Sequence, residues 1–195
     1  MVEPDREERQ RNVTLCVIAP FFNEAEVIPR FYDTLRSTLD SLSCVQCEMI
    51  FVDDGSTDDT LGILNELSRS DDRVRVYSLS RNFGHQIALT AGLDVANADM
   101  YVMMDADLQH PPQLIPEMVE RWREGADIVS TIRESTEKTG PVKKLTSGLF
   151  YWIMNRLSDT RIVPGATDFR LLSHRAAGAL REMPERHRFL RGMVS

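Results

Sequence analysis

The segment MYVMMDADLQHPP at residues 100–112 begins as a short apolar strand and runs directly into two aspartates, Asp105 and Asp107. Because strand side chains alternate between faces, these two carboxylates are expected to point the same way, about 6–7 Å apart along the chain. Paired carboxylate oxygens suit a hard divalent cation such as Mg²⁺ or Mn²⁺. Pro111 and Pro112 then end the strand and favour the first turn of a helix. A second interpretation is open, in which the aspartates are solvated carboxylates at a strand end.

The composition predicts one globular domain. The chain has 195 residues, of which 42% are hydrophobic and 27% charged, which is enough for a complete core. No stretch approaches the roughly 18 apolar residues of a membrane span. Residues 1–12 are charged and lack the apolar centre of a secretory signal, so they predict a disordered lead before a single domain at 13–195. Cys16, Cys44 and Cys47 form no disulfide or zinc pattern, which favours a reducing, cytoplasmic setting.

The net charge of −7 is unevenly distributed along the chain. Residues 1–120 contain 22 acidic and 9 basic side chains, whereas residues 121–195 contain 8 acidic and 14 basic ones. One interpretation is an acidic half that holds a cation and a basic half that meets phosphates. Uneven scatter without functional meaning is the other interpretation.

Apolar runs and helical periods alternate from residue 13 to residue 132. The runs typical of buried strands are 13–19, 48–52, 74–79, 100–104 and 127–132, and the segments with a helical period between them are 24–42, 57–67, 86–97 and 112–124. This alternation predicts a parallel sheet with right-handed crossovers and helices on both faces. Ligands of such sheets bind beyond the carboxyl ends of the strands, where each polar cluster of this chain lies. We therefore expect one cleft formed by Glu24, Asp53, Asp54, Arg81, Asp105, Asp107 and Arg133.

The pattern changes in the C-terminal part. Residues 142–157 combine apolar positions at a helical period with basic residues and a central aromatic cluster. This favours an amphipathic helix on an anionic membrane surface, or equally a core helix with a solvated basic side. Residues 167–172 predict a strand, and Ser173 is expected to cap a short helix that ends before Pro184. The first of these interpretations would make residues 133–195 the membrane-proximal part of the domain.

Five short motifs follow one another in a characteristic order and spacing. They are PFFNE (20–24), VDDGS (52–56), SRNFGH (80–85), DADLQHPP (105–112) and DFRL (168–171). The chain resembles, from residue 13 to 195, the inverting family 2 glycosyltransferases of GT-A fold, and within them the polyprenyl-phosphate glycosyltransferases. The resemblance implies an α/β fold with a mostly parallel, Rossmann-like sheet. It also implies transfer of a hexose from a UDP- or GDP-sugar to an undecaprenyl or dolichyl phosphate at the cytoplasmic face of a membrane.

The resemblance further implies a role for each motif. Asp105, Asp107 and Gln109 are expected to hold Mg²⁺ or Mn²⁺ on the donor diphosphate, with Asp107 counted as catalytic. The residues expected to line the base and ribose pocket are Pro20, Phe22, Glu24, Val52 and Asp54. Arg133 is expected to approach the phosphates or the sugar, and Arg81 and Arg170 are candidates for contacts with the donor or acceptor phosphate. Asp105 and Ala106 are also counted among the substrate-binding residues, and residues 133–195 form the acceptor-side part of the domain in this resemblance.

Asp168 has two interpretations. It is a candidate for a catalytic base or for a carboxylate that positions the acceptor, because it lies in the DFRL motif. A structural ion pair with Arg170 is the alternative. His85 and His110 are expected near the cleft, whereas no pair of histidines has the spacing of metal ligands.

Two features depart from this family. The segment after Arg133 is more acidic than expected for the subgroup. Relatives also usually continue beyond the position of Ser195 into a further amphipathic segment and often two transmembrane helices, so a C-terminally shortened chain is expected. The expected partners are a nucleotide-sugar, a polyprenyl phosphate and the membrane surface but no nucleic acid, with self-association left open. The rival functions are a transferase with a glycan acceptor and an inactive nucleotide-sugar-binding or membrane-docking module.

Overall fold

A computed structural model describes residues 13–107, 109–132 and 166–183 as an α/β domain. Strands and helices alternate in the order that the sequence predicts. The strands are β1 (Val13–Phe21), β2 (Val45–Asp53), β3 (Val74–Ser78), β4 (Met100–Met103), β5 (Ile128–Ile132) and β6 (Ala166–Ser173). The helices are α1 (Ile28–Asp40), α2 (Thr60–Ser70), α3 (His85–Val95), α4 (Ile115–Arg123) and α5 (His174–Glu182), and a 3-10 turn at Pro112–Leu114 precedes α4.

The six strands form one sheet in the order β3-β2-β1-β4-β6-β5. The strands β1 to β4 pair in parallel, which confirms the predicted mostly parallel sheet. The strand β6 lies between β4 and β5 and is antiparallel to both. Its amino end therefore reaches the same edge of the sheet as the carboxyl ends of the parallel strands. This insertion brings the DFRL motif beside the DADLQHPP motif.

Helices cover both faces of the sheet, as the sequence predicts. Alternate residues of β1 divide between two cores, because successive strand side chains point to opposite faces. Leu15 and Val17 belong to the core under α1, α2 and α4, whereas Cys16 and Ile18 belong to the core under α3 and α5. All four side chains are fully buried. Among the described residues, no helix is long and apolar enough to span a membrane.

Asn23 and Thr57 stand at the predicted starts of the first two helices, where their residue types favour a helix cap, but neither acts as one. Asn23 does not cap α1, which begins after Val27, and Thr57 does not cap α2, which begins after Asp59. The side chain of Asn23 instead accepts hydrogen bonds from the backbone and the hydroxyl of Thr57. These side chains thus form hydrogen bonds between the two loops rather than with the free amides at the helix ends. By contrast, the predicted cap at Ser173 is confirmed, because its hydroxyl accepts a hydrogen bond from the Ala176 amide at 3.1 Å.

The predicted amphipathic helix at residues 142–157 and the predicted lead at residues 1–12 lie outside the described residues.

Close packing of α3 on the sheet depends on Gly92. A β-carbon at this position would lie 2.4 Å from Ile18 Cγ2 and 3.1 Å from Val52 Cγ2. Both neighbours are fully buried strand residues with little room to move. Because α3 begins at His85, its distance from the sheet also sets where that histidine lies.

Gly92→Ala should therefore destabilise the fold. The added methyl group overpacks the core, at a cost near the upper end of ~1–3 kcal/mol. Alanine has a better helix propensity than glycine by ~1 kcal/mol, so the free energy of unfolding should fall by about 2 kcal/mol. The matched control is Gly178→Ala in α5, where an added β-carbon meets no atom within 4 Å. Gly178→Ala should stabilise the protein by about 0.5–1 kcal/mol. Urea denaturation measures both, and equal effects would contradict the packing argument.

Candidate functional site

The loops after β1 and β2 are joined by a series of hydrogen bonds. The Thr57 amide donates to Asn23 Oδ1 at 2.8 Å, and the Glu24 amide donates to Thr60 Oγ1 at 2.9 Å. Asn23 has a φ of 54°, in the left-handed region that asparagine tolerates better than most residues. This backbone geometry directs the next side chain, that of Glu24, toward the end of β4.

A buried aspartate joins the loops after β2 and β3. Asp54 is 2% exposed, and its two oxygens accept hydrogen bonds from the amides of Phe83 and Gly84 at 2.8 and 2.9 Å. Gly55 lets the two loops approach, since a β-carbon there would lie 2.3 Å from the Arg81 carbonyl carbon. The loop that leads into His85 is thus held by Asp54.

A cavity of about 330 Å³ opens where these loops meet the ends of β4 and β6. The residues that line it are Pro20, Glu24, His85, Asp105, Ala106, Asp107 and Asp168. Four of the seven are carboxylates, and only the histidine among them can carry a positive charge. The sequence correctly predicted that Glu24, Asp105 and Asp107 would lie together.

Asp105 lies between two histidines. Its Oδ1 is 2.9 Å from His85 Nε2, and its Oδ2 is 3.3 Å from His110 Nδ1. Burial would raise the pKa of Asp105, but the rings of His110 and His85 outweigh burial and hold the pKa well below its usual range. The carboxylate is therefore ionised throughout the physiological pH range.

His85 also faces Asp168, whose Oδ2 lies 3.5 Å from His85 Nε2. Burial lowers the pKa of His85, but the contacts with Asp105 and Asp168 outweigh it and raise the pKa to about 9. Ligand atoms of His85, Asp105 and Asp168 all lie within 4.8 Å of one another, so this group has the dimensions of a metal site. The imidazolium therefore lies between the carboxylates of Asp105 and Asp168.

The ionised form of Glu24 is destabilised by its surroundings. Burial, followed by the charges of Asp107 and Asp105, raises its pKa to about 7. Its Oε2 atom is buried and accepts no hydrogen bond from the described residues. An ionised Glu24 in this position requires a compensating positive charge.

Asp107 is exposed and lines the cavity, whereas Gln109 is exposed and does not belong to the lining. Asp107 accepts a hydrogen bond from the Gln109 amide at 2.9 Å, which stabilises the turn after β4. Asp105 is half-buried and Asp107 is exposed, so the two carboxylates predicted to act together meet solvent differently.

Asp168 forms the structural ion pair with Arg170 that was one of its two interpretations. It is 3% exposed, and its Oδ1 lies 3.3 Å from Nη2 of Arg170, which is 2% exposed. Its other oxygen accepts a hydrogen bond from Gln86 Nε2 at 3.2 Å. Asp168 therefore forms a buried ion pair and also lines the cavity. Arg170 itself does not belong to the cavity lining.

The remaining predicted site residues are placed differently. Phe22 is 42% exposed, and the Arg81 guanidinium stacks on the exposed Phe83 ring at 4.4 Å from its centroid. The Val52 side chain is fully buried in the core under α3 and does not line the cavity. Arg133 lies outside the described residues.

The sequence predicts His85 and His110 near the cleft without indicating a role for either, and it gives no sign that Gln86 contacts Asp168. The available signal was position, since His85 and Gln86 directly follow the turn at the carboxyl end of β3. Their contacts with Asp105 and Asp168 depend on the antiparallel insertion of β6, which periodicity does not reveal.

Comparison with known proteins agrees with this architecture. A family model described as Glycosyl transferase family 2 matches residues 16–182. The chain is 39% identical over 185 residues to an uncharacterized glycosyltransferase, YkcC, of Bacillus subtilis, covering 95% of this chain and 57% of the relative. It is 40% identical over 181 residues to a prophage bactoprenol glucosyl transferase homolog of Escherichia coli, covering 93% of this chain and 59% of the relative. The chain thus spans a little over half the length of these relatives.

Solved structures show the same fold. One is glucosyl-3-phosphoglycerate synthase from Mycobacterium tuberculosis in complex with Mn²⁺, UDP and glucosyl-3-phosphoglycerate, with a TM-score of 0.59 and 24% identity over 92% of this chain and 63% of that one. Another is the mannosyltransferase PcManGT from Pyrobaculum calidifontis in complex with GDP-Man and Mn²⁺, with a TM-score of 0.58 and 18% identity over 86% of this chain and 46% of that one. These similarities confirm the predicted GT-A fold.

Glu24→Gln should relieve the repulsion in the cavity of the metal-free protein. The folded-state pKa of about 7 lies above the ordinary 4.5, so Glu24 favours folding below about pH 4.5 and this contribution is lost as the pH rises through 7. The variant should therefore melt at a higher temperature than the original protein near pH 8, with the difference shrinking toward pH 5. Thermal denaturation in EDTA across this range measures the effect.

Glu26→Gln removes an exposed carboxylate two residues further along and is the matched control. It should leave the dependence of the melting temperature on pH unchanged. A pH-independent effect of Glu24→Gln would contradict the proposed repulsion.

Proposed function

The chain belongs to glycosyltransferase family 2, and we propose that it transfers a hexose from a nucleotide-sugar to a polyprenyl phosphate. Identity of 39–40% to bactoprenol glucosyl transferases over 93% of the chain carries this proposal and makes glucose the first sugar to test. The carboxylate cavity at the sheet edge supports it, because sheets of this class bind ligands there. UDP and GDP are the two candidate donor nucleotides.

Mg²⁺ or Mn²⁺ fits the cavity. Four carboxylates converge with one histidine as the only cationic side chain of the lining, and buried oxygens of Glu24 and Asp105 lack an aligned hydrogen bond from the described residues. Oxygen donors of this kind suit hard divalent ions. Asp105, Asp107 and Gln109 are the residues proposed to hold the ion. When bound, it would supply positive charge for the negative charge that develops on the leaving diphosphate.

Charge in the cavity sets the order of binding in this proposal. A polyprenyl phosphate is an anion and would be repelled by the carboxylates of Asp105, Asp107 and Asp168. We expect the acceptor to enter productively after the cation and the donor have reduced that negative charge. An ionised acceptor needs placement and exclusion of water more than it needs a strong base.

Asp168 is proposed to position the acceptor phosphate or to act as the base. Its ion pair with Arg170 and its hydrogen bond from Gln86 restrict its rotation, so one oxygen remains directed into the cavity. A carboxylate held in this way loses little conformational entropy when the acceptor binds.

The nucleotide is proposed to bind beside the exposed aromatic rings of Phe22 and Phe83. Both rings present apolar surface at the carboxyl ends of the strands, and Arg81 stacks on Phe83 with its guanidinium available for a phosphate. Asp54 supports this surface indirectly, since its two oxygens hold the backbone amides of Phe83 and Gly84. Pro20 and Ala106 complete the wall of the cavity.

The lipid acceptor places the proposed reaction at the cytoplasmic face of a membrane, with the chain peripheral to it. The basic residues of the C-terminal half provide charge for an anionic lipid surface.

Donor binding should stabilise the protein only when a divalent cation is present. At a donor concentration of about 100 times Kd, mass action adds about 2.7 kcal/mol, which corresponds to roughly 5–10 °C in melting temperature for a chain of this size. Thermal shifts with UDP-glucose, UDP-GlcNAc, GDP-mannose and GDP-glucose, each with Mn²⁺ or EDTA, identify the donor. Asp105→Asn should abolish the Mn²⁺-dependent shift, whereas Asp33→Asn, at an exposed position of α1, should preserve it. The absence of a shift with every donor would contradict the nucleotide-sugar proposal.

Asp107→Ala should abolish glycosyl transfer while leaving the fold intact, because its carboxylate is exposed and proposed to bind the cation. The assay follows radiolabelled sugar from the donor into undecaprenyl phosphate in vesicles, with circular dichroism as the control for folding. Full activity of the variant, or of the original protein in EDTA, would contradict the metal assignment. If the sugar were transferred to a glycan but not to the lipid phosphate, the proposal of a polyprenyl-phosphate acceptor would be wrong.

A further inference from the structure

His110 makes two contacts that belong to different parts of the domain. Its Nδ1 lies 3.3 Å from Asp105 Oδ2, and its ring packs on that of Phe169 with centroids 5.6 Å apart and an interplanar angle of 32°. Phe169 is fully buried in β6, directly between Asp168 and Arg170. His110 thus joins the loop after β4 to the strand that carries Asp168.

The backbone and the surroundings of His110 restrict the ring. Its side chain is 12% exposed. Pro111 follows in an extended conformation, and the buried Pro112 begins the 3-10 turn that leads into α4. The ring is therefore held by Phe169 on one side and by a proline-restricted backbone on the other.

His85 approaches the other oxygen of Asp105 in a different way. It is 40% exposed and is shared between Asp105 and Asp168, so it sits within the negative region of the cavity itself. A cation that binds between these carboxylates would compete with the His85 imidazolium for the same charge. His110 contacts Asp105 from the side of Phe169 and faces no such competition.

On the basis of the proposed cation site, we propose that His110 is a positioning residue that orients the Asp105 carboxylate for the divalent cation. His110 Nδ1 contacts Oδ2 at 3.3 Å without the alignment of a hydrogen bond, and the other oxygen, Oδ1, is buried beside His85, which lines the cavity. A carboxylate restricted on both sides in this way loses little rotational freedom when it binds the ion. Replacing a group that contacts a metal ligand in this way commonly weakens metal affinity by about 10- to 100-fold. The packing of the His110 ring on Phe169 fixes the ring relative to β6, and the ring in turn orients the carboxylate of Asp105.

Two substitutions at His110 separate its nitrogen from its ring. His110→Phe keeps an aromatic ring against Phe169 and removes the nitrogen near Asp105. His110→Asn keeps an amide nitrogen close to the position of Nδ1 and removes the ring. The matched control is His174→Phe at the opposite edge of the sheet, where His174 Nδ1 lies 2.9 Å from the Ala98 carbonyl oxygen.

The affinity for Mn²⁺ alone is measured from the electron paramagnetic resonance signal of the free ion, and the melting temperature is measured in EDTA. We expect His110→Phe to weaken Mn²⁺ binding by about 10-fold or more with little loss of thermal stability. His110→Asn should lower the melting temperature in EDTA, because the contact with Phe169 is lost, yet retain most of the Mn²⁺ affinity. His174→Phe should bind Mn²⁺ as the original protein does.

Unchanged Mn²⁺ affinity in His110→Phe would overturn this inference and leave the cation site standing. A parallel loss of stability and affinity in both His110 variants would also overturn it, because the histidine would then serve only the fold. Failure of the original protein to bind Mn²⁺ would overturn the cation site and, with it, the role of His110.

Discussion

Repulsion among the carboxylates around Asp105 is the constraint on which the rest of the site depends. Glu24, Asp105, Asp107 and Asp168 line one cavity, where burial and then the charges of Asp107 and Asp105 raise the pKa of Glu24 to about 7. Such an arrangement persists only where the surrounding structure is strong enough to impose it. The fully buried strands form a stable framework, and the hydrogen-bonded loops hold the carboxylates in place at the ends of these strands. A site that is unfavourable without a positive charge is, for the same reason, well suited to bind one.

The loops achieve this by binding one another. Asn23 and Thr57 join the first two loops, and Asp54 joins the second to the third through the amides of Phe83 and Gly84. Each of these polar groups satisfies a backbone donor that would otherwise lie unpaired near the cavity. Their hydrogen bonds therefore serve two purposes at once, since they satisfy the backbone and they fix Glu24 and His85 relative to the end of β4.

The sequence predicted most of the fold because its signals are local. Alternating apolar runs and helical periods correctly indicated the first five strands and the helices between them, and the rule that ligands bind at carboxyl strand ends correctly grouped Glu24 with Asp105 and Asp107. The membership of the family was visible from five motifs. What the sequence could not indicate was pairing between distant segments, such as the insertion of β6 between β4 and β5.

The errors have the same physical origin. Asn23 carries every local sign of a helix cap, but its partner is Thr57, 34 residues away. Val52 precedes two aspartates in a motif expected to line the nucleotide pocket, yet strand alternation directs its side chain into the core beside Gly92. Local patterns indicate what a residue is able to do, whereas distant partners decide which of those possibilities the fold uses.

The two interpretations of Asp168, a structural ion pair with Arg170 and a role toward the acceptor, are compatible in the structure. A carboxylate has two oxygens, and the Asp168 side chain directs one toward Arg170 and the other toward Gln86, His85 and the cavity. Breaking a buried ion pair by removing one partner typically costs about 3–5 kcal/mol, because the remaining charge is left uncompensated. The Arg170 guanidinium therefore compensates the Asp168 carboxylate, which is 3% exposed and lies beside other carboxylates. Its structural role and its proposed role toward the acceptor are parts of one arrangement, and the antiparallel direction of β6 makes both possible.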